Sequence, residues 1–272
     1  MEPSQKKERE LREMTTFALK MNALVLMVLD HVGLYFEPLL PPWLFLLLRL
    51  VGRGSFPLFL FCMVQGYAHT HSRRAYLLRL YAGSLFMTAF ALGVDHLFPT
   101  EGFGYGNHNI FLSMLLVGAL ISTLETVQHD RKKGLWMIAG IFGVQVLYFA
   151  VSHFVPFVKY SVSGDILTGI IPNLALNEYG LEFVILGVAM YFLRDRKDLF
   201  AAMYLLFCAG QFAYETVWGD WGFPIQFAMV LSLPLMLRYN GEKGRGMKWF
   251  FYIFYPAHTF LLFCLANFVV KC

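Results

Sequence analysis

The chain has 272 residues, of which 58% are hydrophobic and only 15% are charged. Soluble domains carry about 25% charged residues, so this composition excludes an ordinary water-soluble globular domain. The net charge of +4 comes from basic residues in short connections, and it therefore gives no indication of nucleic-acid binding. The four cysteines follow no disulfide or metal spacing, and we expect no bound metal.

Apolar segments long enough to cross ~30 Å of hydrocarbon follow one another along almost the whole chain. They predict an all-α integral membrane protein with a single domain, residues 1–272, preceded by a charged tail over residues 1–14. The first segment contains Asp30 and His31, and no small-residue cleavage site follows it, so we interpret it as an uncleaved span. The nine predicted spans are residues 18–36, 44–69, 77–98, 108–127, 135–155, 175–193, 199–217, 222–238 and 249–270.

The basic residues predict the orientation of these spans. Of the 22 Lys and Arg residues, 18 lie in the N-terminal tail, in every second connection after it, or in the adjoining turn of a span. The positive-inside rule then predicts a cytoplasmic N-terminus and an external C-terminus. We therefore expect a multi-pass protein of the bacterial inner (plasma) membrane, surrounded by the lipid bilayer and without a nucleic-acid partner.

Four ionisable residues fall in the middle third of the predicted spans, namely Asp30, His31, Arg53 and His258. Ionisable groups at this depth cost roughly 2.5–3.5 kcal/mol each, so they normally face a partner or a cavity. An ion pair between Asp30 and Arg53 that only joins two spans is one interpretation. The two histidines favour a functional site, because a neutral imidazole is a costly filler of a helix interface but an effective general base.

Other polar residues lie at the predicted ends of the spans. Arg73, Arg74 and Arg79, together with the glycine-rich segment YNGEKGRGMK at 239–248, indicate phosphate contacts on the cytoplasmic side. On the external side, Asp95, His96 and Asn109 are candidate contacts for an acceptor. Tyr255 shares a helical face with His258.

Three segments resemble the TraX family of membrane proteins. They are LDHVG at 29–33, VGRGSFPLFLFCMVQGYAHTHSRRAYLLRL at 51–80 and RYNGEKGRGMKWFFYIFYPAHT at 238–259. The resemblance implies an N-acetyltransferase of conjugative pilin, related to the broader membrane acyltransferase superfamily, with acetyl-CoA as donor. Gln65 stands where the family is expected to carry an acidic residue. The catalytic region that the resemblance implies contains Asp30, His31, Gly52, Arg53, Pro57, Tyr239, Asn240, Gly241, Pro256 and His258.

Depth and resemblance together predict a reaction. Acetyl-CoA is expected at the cytoplasmic face, and a peptide or glycan acceptor at the external face. His31, oriented by Asp30, is expected to act as base and Arg53 to stabilise the oxyanion, with His258 as an alternative base or acetyl carrier. An O-acyltransferase for a surface sugar or lipid and a proton-coupled transporter stay open as alternatives. The predicted donor-binding residues are Arg73, Arg74, Arg79, Tyr239, Asn240, Gly241, Arg245 and Lys248; the predicted acceptor-binding residues are Asp95, His96, Asn109 and Tyr255.

Overall fold

A computed structural model describes residues 13–100, 104–106, 108–155, 166–219 and 223–270. Within these ranges the secondary structure is helical, apart from one isolated bridge between Met14 and Tyr239. Two 3₁₀ helices cover Glu37–Leu39 and Gln226–Ser232, and a π-helix covers Leu265–Val270. The α-helices are α1 (Thr16–Tyr35), α2 (Pro42–Gly52), α3 (Ser55–Ala68), α4 (Arg73–Leu97), α5 (Ile110–His129), α6 (Arg131–Phe154), α7 (Ile166–Ile170), α8 (Gly180–Leu193), α9 (Lys197–Trp218), α10 (Leu233–Leu237) and α11 (Lys248–Cys264).

Six helical segments in the described part of the chain are long and apolar enough to span a membrane, which supports a multi-pass membrane protein. They correspond to the first five and the last of the predicted spans. The count of nine spans and the orientation of the two ends stay predictions. The six segments are Thr16–Tyr35, Pro42–Ala68, Arg73–Leu97, Ile110–His129, Arg131–Phe154 and Trp249–Val270.

The other three predicted spans form shorter or less apolar helices. The span predicted over 175–193 begins only at Gly180, because the Asn177 side chain accepts a hydrogen bond from the Tyr179 backbone and holds a turn there. The span predicted over 222–238 is divided into a 3₁₀ helix and α10. Helix α9 has the necessary length, but Gln211 and Glu215 reduce its apolar character.

Internal contacts divide the chain into two compact units. Unit 1 comprises residues 1–63 and 193–272, and unit 2 comprises residues 64–192. In unit 1, α1 packs along α2, and α11 packs against α1. Gly52 permits the close approach of α1 and α2, since a Cβ atom at this position would overlap with Asp30.

The second membrane-spanning segment of the chain is broken between α2 and α3. Arg53 caps α2, with its N–H donating to Arg49 O, and α3 begins after Gly54. Pro57 therefore lies in the first turn of α3, where its missing N–H interrupts no helical hydrogen bond. Pro256, by contrast, lies inside α11.

In unit 2, the helices α4, α5 and α6 pack in chain order, and α7 packs against α4. A buried hydrogen-bond network joins the middle of α4 to the beginning of α5. Its centre is Asn109, whose Oδ1 accepts from Leu112 N and whose amide donates to Ser84 and Thr88. Asn109 is thus both the N-cap of α5 and a link between two helices.

Candidate functional site

The carboxylate of Asp30 lies between two arginines in unit 1. One oxygen of Asp30 is 2.6 Å from Arg53 Nη2 and 3.1 Å from Arg49 Nη1. The other carboxylate oxygen accepts a second hydrogen bond from Arg53 Nη2 at 2.8 Å. The Arg49 side chain is only 8% exposed, so these charges interact with less screening than a surface pair.

A polar side chain from another helix continues this cluster. Gln226, the first residue of its 3₁₀ helix, accepts a hydrogen bond from Arg53 Nη1 at 3.4 Å. Glu215 on α9 fixes this helix end, because its Oε2 accepts from the backbone N–H groups of Ile225 and Gln226 at 2.8 and 2.7 Å. Arg53 is therefore held at the α2–α3 break by Asp30 and Gln226 together.

The two histidines that were predicted at similar depth lie side by side. His258 Nε2 is 3.3 Å from His31 Nδ1, and the ring centroids are 5.0 Å apart with an edge-on geometry. His31 follows Asp30 directly in α1, so the histidine pair and the cluster of Asp30 and the arginines lie at the same level of this helix. The structure thus brings together Asp30, His31, Arg53 and His258, which come from three parts of the chain.

Hydrogen bonds to backbone carbonyls assign the tautomers of the two neutral rings. His31 Nδ1 lies 2.9 Å from Met27 O, and His258 Nδ1 lies 2.9 Å from Phe254 O. A carbonyl oxygen only accepts, so both Nδ1 atoms carry the proton. His258 Nε2 then accepts from His31 Nδ1–H, which it shares with Met27 O. The lone pair of His31 is consequently on Nε2.

Aromatic side chains surround this histidine pair. The Phe254 ring stacks on His258 at 5.0 Å with an interplanar angle of 10°. Tyr35 lies 6.4 Å from His31, and Tyr255 lies 6.0 Å from His258. Both tyrosines are buried. Such surroundings exclude water and strengthen the electrostatic interactions inside the site.

The glycine-rich segment 239–248 folds onto the beginning of α1. The backbone carbonyls of Glu242 and Lys243 accept from the N–H groups of Thr16 and Phe17, which satisfies donors that a helix start leaves unpaired. Tyr239 is part of the same structure, because its hydroxyl accepts from the Thr16 hydroxyl at 3.2 Å. This arrangement joins the beginnings of α1 and α11, the helices that carry His31 and His258.

The remaining residues of this segment differ in what they contact. Asn240 accepts from Glu242 N through its side chain, and Gly241 adopts a φ of +86°, which shapes the turn. Lys243 and Arg245 are exposed. Lys248 begins α11, and its side chain lies outside the described part of the chain.

Three of the predicted donor-binding arginines, Arg73, Arg74 and Arg79, lie in unit 2. Arg73 forms an ion pair with Glu125, and Tyr191 joins them by accepting from Arg73 at 2.9 Å and donating to Glu125 at 2.6 Å. Arg74 is exposed, and Arg79 lies over the Tyr76 ring. The charge of Arg73 is therefore compensated within the chain.

The predicted acceptor-binding residues are divided between the units. Tyr255 belongs to unit 1 and lies beside His258. Asp95, His96 and Asn109 belong to unit 2, where Asp95 accepts from Tyr105 N at 3.1 Å and His96 is exposed. Asn109 has its side-chain amide committed to Ser84 and Thr88.

A half-buried carboxylate lies next to Asn109 in unit 2. Glu178 accepts from Asn109 N at 2.7 Å. Burial raises the pKa of Glu178 to about 8 and outweighs the lowering effect of this hydrogen bond. No ion pair with Glu178 is present among the described residues.

Sequence reasoning missed two residues of the unit 1 site, Gln226 and Glu215. Their only signal in the sequence is a polar residue inside or at the end of an apolar segment, which does not identify the helix that it faces. Within the described ranges, no group of three or more His, Cys, Asp and Glu residues is placed to hold a metal ion.

These features define a class of protein, a helical membrane protein whose helices enclose a charged site with a pair of histidines. The family described as "TraX protein" matches residues 16–266, and the chain is a member of this family. The TraX resemblance predicted from three short segments is thereby confirmed over most of the chain.

Two relatives show how far the similarity extends. The chain is 28% identical over 264 residues to the probable fimbrial assembly protein FimC, serogroup H1, of Dichelobacter nodosus, which covers 94% of this chain and 96% of that protein. It is 32% identical over 128 residues to Protein TraX of Escherichia coli, which covers 46% of each. No solved structure matches the chain.

Proposed function

We propose that the chain is a membrane-embedded acetyltransferase that moves the acetyl group of acetyl-CoA to an amine, in particular the N-terminus of a pilin-like peptide. The observation that supports this most is the contact between His31 and His258 beside the Asp30 cluster. A base next to a surplus positive charge has the two elements that acyl transfer requires. Membership of the TraX family supports the same reaction class.

The reaction follows from the assigned tautomers. His31 Nε2 takes the proton of the acceptor amine while the amine nitrogen attacks the carbonyl carbon of the thioester. The negative charge that develops on the carbonyl oxygen is stabilised by the Arg53 guanidinium. When the C–S bond breaks, the thiolate of coenzyme A leaves and takes the proton back from His31. An amide and free coenzyme A are the products.

His258 has a supporting role in this proposal. Its Nε2 accepts from His31 Nδ1–H, so it orients the His31 ring and stabilises the imidazolium that forms when His31 binds a proton. The same contact argues against His258 as the first base, because its lone pair is already directed at His31. The two histidines, which the sequence leaves equivalent, thereby receive different roles.

Donor binding in this proposal uses the folded segment 239–248. Lys243 and Arg245 are the exposed cations next to the beginnings of α1 and α11, and they suit the phosphates of acetyl-CoA. From these helix starts, His258 is 10 residues and His31 is 15 residues along the helices, which is roughly 15–22 Å at ~1.5 Å per residue. The pantetheine arm of coenzyme A is long enough to cover such a distance.

The acceptor and the location of the protein are also part of the proposal. The name of the Dichelobacter relative refers to fimbrial assembly, and this supports a pilus subunit as the acceptor. A pilin precursor lies in the inner membrane before assembly, so we place the chain there, with its basic connections on the cytoplasmic side.

The direct test is a reaction with purified protein. The protein in detergent is mixed with acetyl-CoA and a peptide with a free N-terminus, and mass spectrometry measures the acetylated peptide and the coenzyme A released. We expect both products in equal amounts, and neither with a peptide whose N-terminus is already acetylated. Release of coenzyme A without peptide acetylation, or no reaction with any free amine, would contradict the proposal.

A further inference from the structure

A groove with a charged end and an apolar end runs along α4 and α5 in unit 2. Its volume is about 390 Å³. The charged end contains Arg73 and Arg74 in the first turn of α4 and Ser122 on α5. The rest of the groove is lined by Leu77, Leu78, Tyr81 and Leu115.

The groove runs along the helices from its charged end to its apolar end. From Arg74 to Tyr81 the groove extends over seven residues of α4, or about 10 Å at ~1.5 Å per residue. Leu78 is 57% exposed on this face, so the apolar part is open to the surroundings of the protein. In a membrane-spanning segment these surroundings are lipid acyl chains.

One cation at the charged end is available for a ligand. Arg73 is neutralised by Glu125, and its other guanidinium nitrogen donates to Tyr191. Arg74 is exposed, and no ion pair with it is present in the described part of the chain. The groove therefore presents one uncompensated positive charge directly above a leucine-lined channel.

We propose that this groove binds one anionic phospholipid, with its phosphate on Arg74 and one acyl chain along Leu77, Leu78 and Leu115. The occupant must be anionic at one end and apolar over the rest of its length, which is the chemistry of a phospholipid. The basic end of α4 also belongs to the predicted cytoplasmic side, where anionic lipids attract basic residues.

The apolar lining argues against coenzyme A as the occupant. Its pantetheine arm carries two amide groups that need hydrogen-bond partners when they are buried. Below the arginines, the groove offers leucine side chains and the Tyr81 hydroxyl, which already donates to Ile170 O at 2.8 Å. This lipid site is independent of the proposed acetyl transfer, which uses residues of unit 1.

The test measures lipid binding rather than activity. Native mass spectrometry of the purified protein gives the affinities for dioleoylphosphatidylglycerol and dioleoylphosphatidylcholine. We expect one tightly bound molecule and a roughly tenfold preference for phosphatidylglycerol, in the range of a charge-assisted contact. Arg74→Gln should abolish the preference. Arg131→Gln, which removes an exposed charge from the first turn of α6, should retain it.

A second variant tests the apolar part. Leu115→Trp fills the groove without changing its charge, so it should weaken the binding of both lipids. A preference that survives Arg74→Gln, or that is lost equally in Arg131→Gln, would overturn the site. Competition between acetyl-CoA and phosphatidylglycerol that requires Arg74 would also overturn it, and would assign the groove to the acetyl donor.

Discussion

The two units each contain an ion-pair cluster, and the clusters differ in charge balance. In unit 1, the single carboxylate of Asp30 meets the guanidinium groups of Arg49 and Arg53. In unit 2, Arg73 meets one carboxylate, that of Glu125, and the Tyr191 hydroxyl completes the contacts of both. Among the ion pairs of the described residues, the first cluster has one positive charge in excess, whereas the second is neutral.

In the proposed function, this difference distinguishes the reaction site of unit 1 from a link between helices in unit 2. A neutral cluster whose donors and acceptors are paired has nothing to offer to a negative charge that appears during a reaction. An excess positive charge beside a histidine pair can stabilise such a negative charge, because it is already oriented and its electrostatic effect is strong where water is excluded. Two clusters built from arginine and a carboxylate can therefore differ in what they do, because their net charges differ.

The largest expected effect is on stability, when the carboxylate of each cluster is removed. Asp30→Ala leaves two guanidinium groups without their counter-ion in a mostly buried place, and we expect a loss of about 3–5 kcal/mol. Glu125→Ala should cost less, because Arg73 is 39% exposed and can be hydrated. Thermal unfolding of both variants in the same detergent measures the difference. Equal losses would contradict the comparison.

Replacing Arg53 tests whether the excess charge is used in the reaction. Arg53→Gln should lower kcat by about 10²–10³, the usual cost of removing an oxyanion donor. Arg53→Lys keeps the charge and should recover part of the rate. If both variants lose the same activity, the geometry of the guanidinium matters and its charge does not. Full activity in Arg53→Gln would exclude it from the reaction.

Gln226 allows the charge of the unit 1 cluster to be changed without removing any of its ions. Gln226→Glu places a second carboxylate near Arg53 and cancels the excess positive charge, so acetyl transfer should fall by roughly 10-fold or more. Gln226→Leu removes the 3.4 Å hydrogen bond from Arg53 and the weak one to Met229 Sδ without adding a charge, and a loss of about 0.5–1.5 kcal/mol, or two- to tenfold, is expected. A larger loss of acetyl transfer in Gln226→Leu than in Gln226→Glu would contradict the charge argument.

A pH-dependent effect is expected from the half-buried carboxylate of unit 2. Because the pKa of Glu178 is raised to about 8 in the folded chain, the folded state keeps a proton that the unfolded state loses above its ordinary pKa of 4.5. Stability should therefore fall as the pH rises from 4.5 to 8 and then level off. Glu178→Gln should flatten this part of the melting profile, and Glu182→Gln, at an exposed position, should not.

The sequence predicted those features that depend on rare residues in apolar surroundings. Asp30, His31, Arg53 and His258 are exceptional within apolar segments, so depth alone suggested that they meet, and the structure places them together. The outline of six membrane-spanning helices was accessible for the same reason, since length and hydropathy determine it.

Features that depend on contacts between distant segments were not predictable. At the break between α2 and α3, Gly52 and Gly54 pack against α1 and the 3₁₀ helix, contacts between segments that are distant in the sequence. The contact of Gln226 with Arg53 requires the capping of its helix by Glu215. Likewise, the glycine-rich segment suggests a phosphate loop, yet two of its backbone carbonyls, those of Glu242 and Lys243, accept hydrogen bonds from the beginning of α1.

The most direct test of the central claim compares two histidines that share the same local geometry. His31 and His69 each have Nδ1 within 2.9 Å of the carbonyl four residues earlier, but only His31 contacts His258. The measurement is kcat for acetyl transfer by purified His31→Ala and His69→Ala, with the affinity for acetyl-CoA measured alongside. A loss of about 10²–10⁴ in kcat is expected for His31→Ala, with unchanged donor affinity, and none for His69→Ala. Full activity of His31→Ala, or equal losses in both variants, would contradict the account.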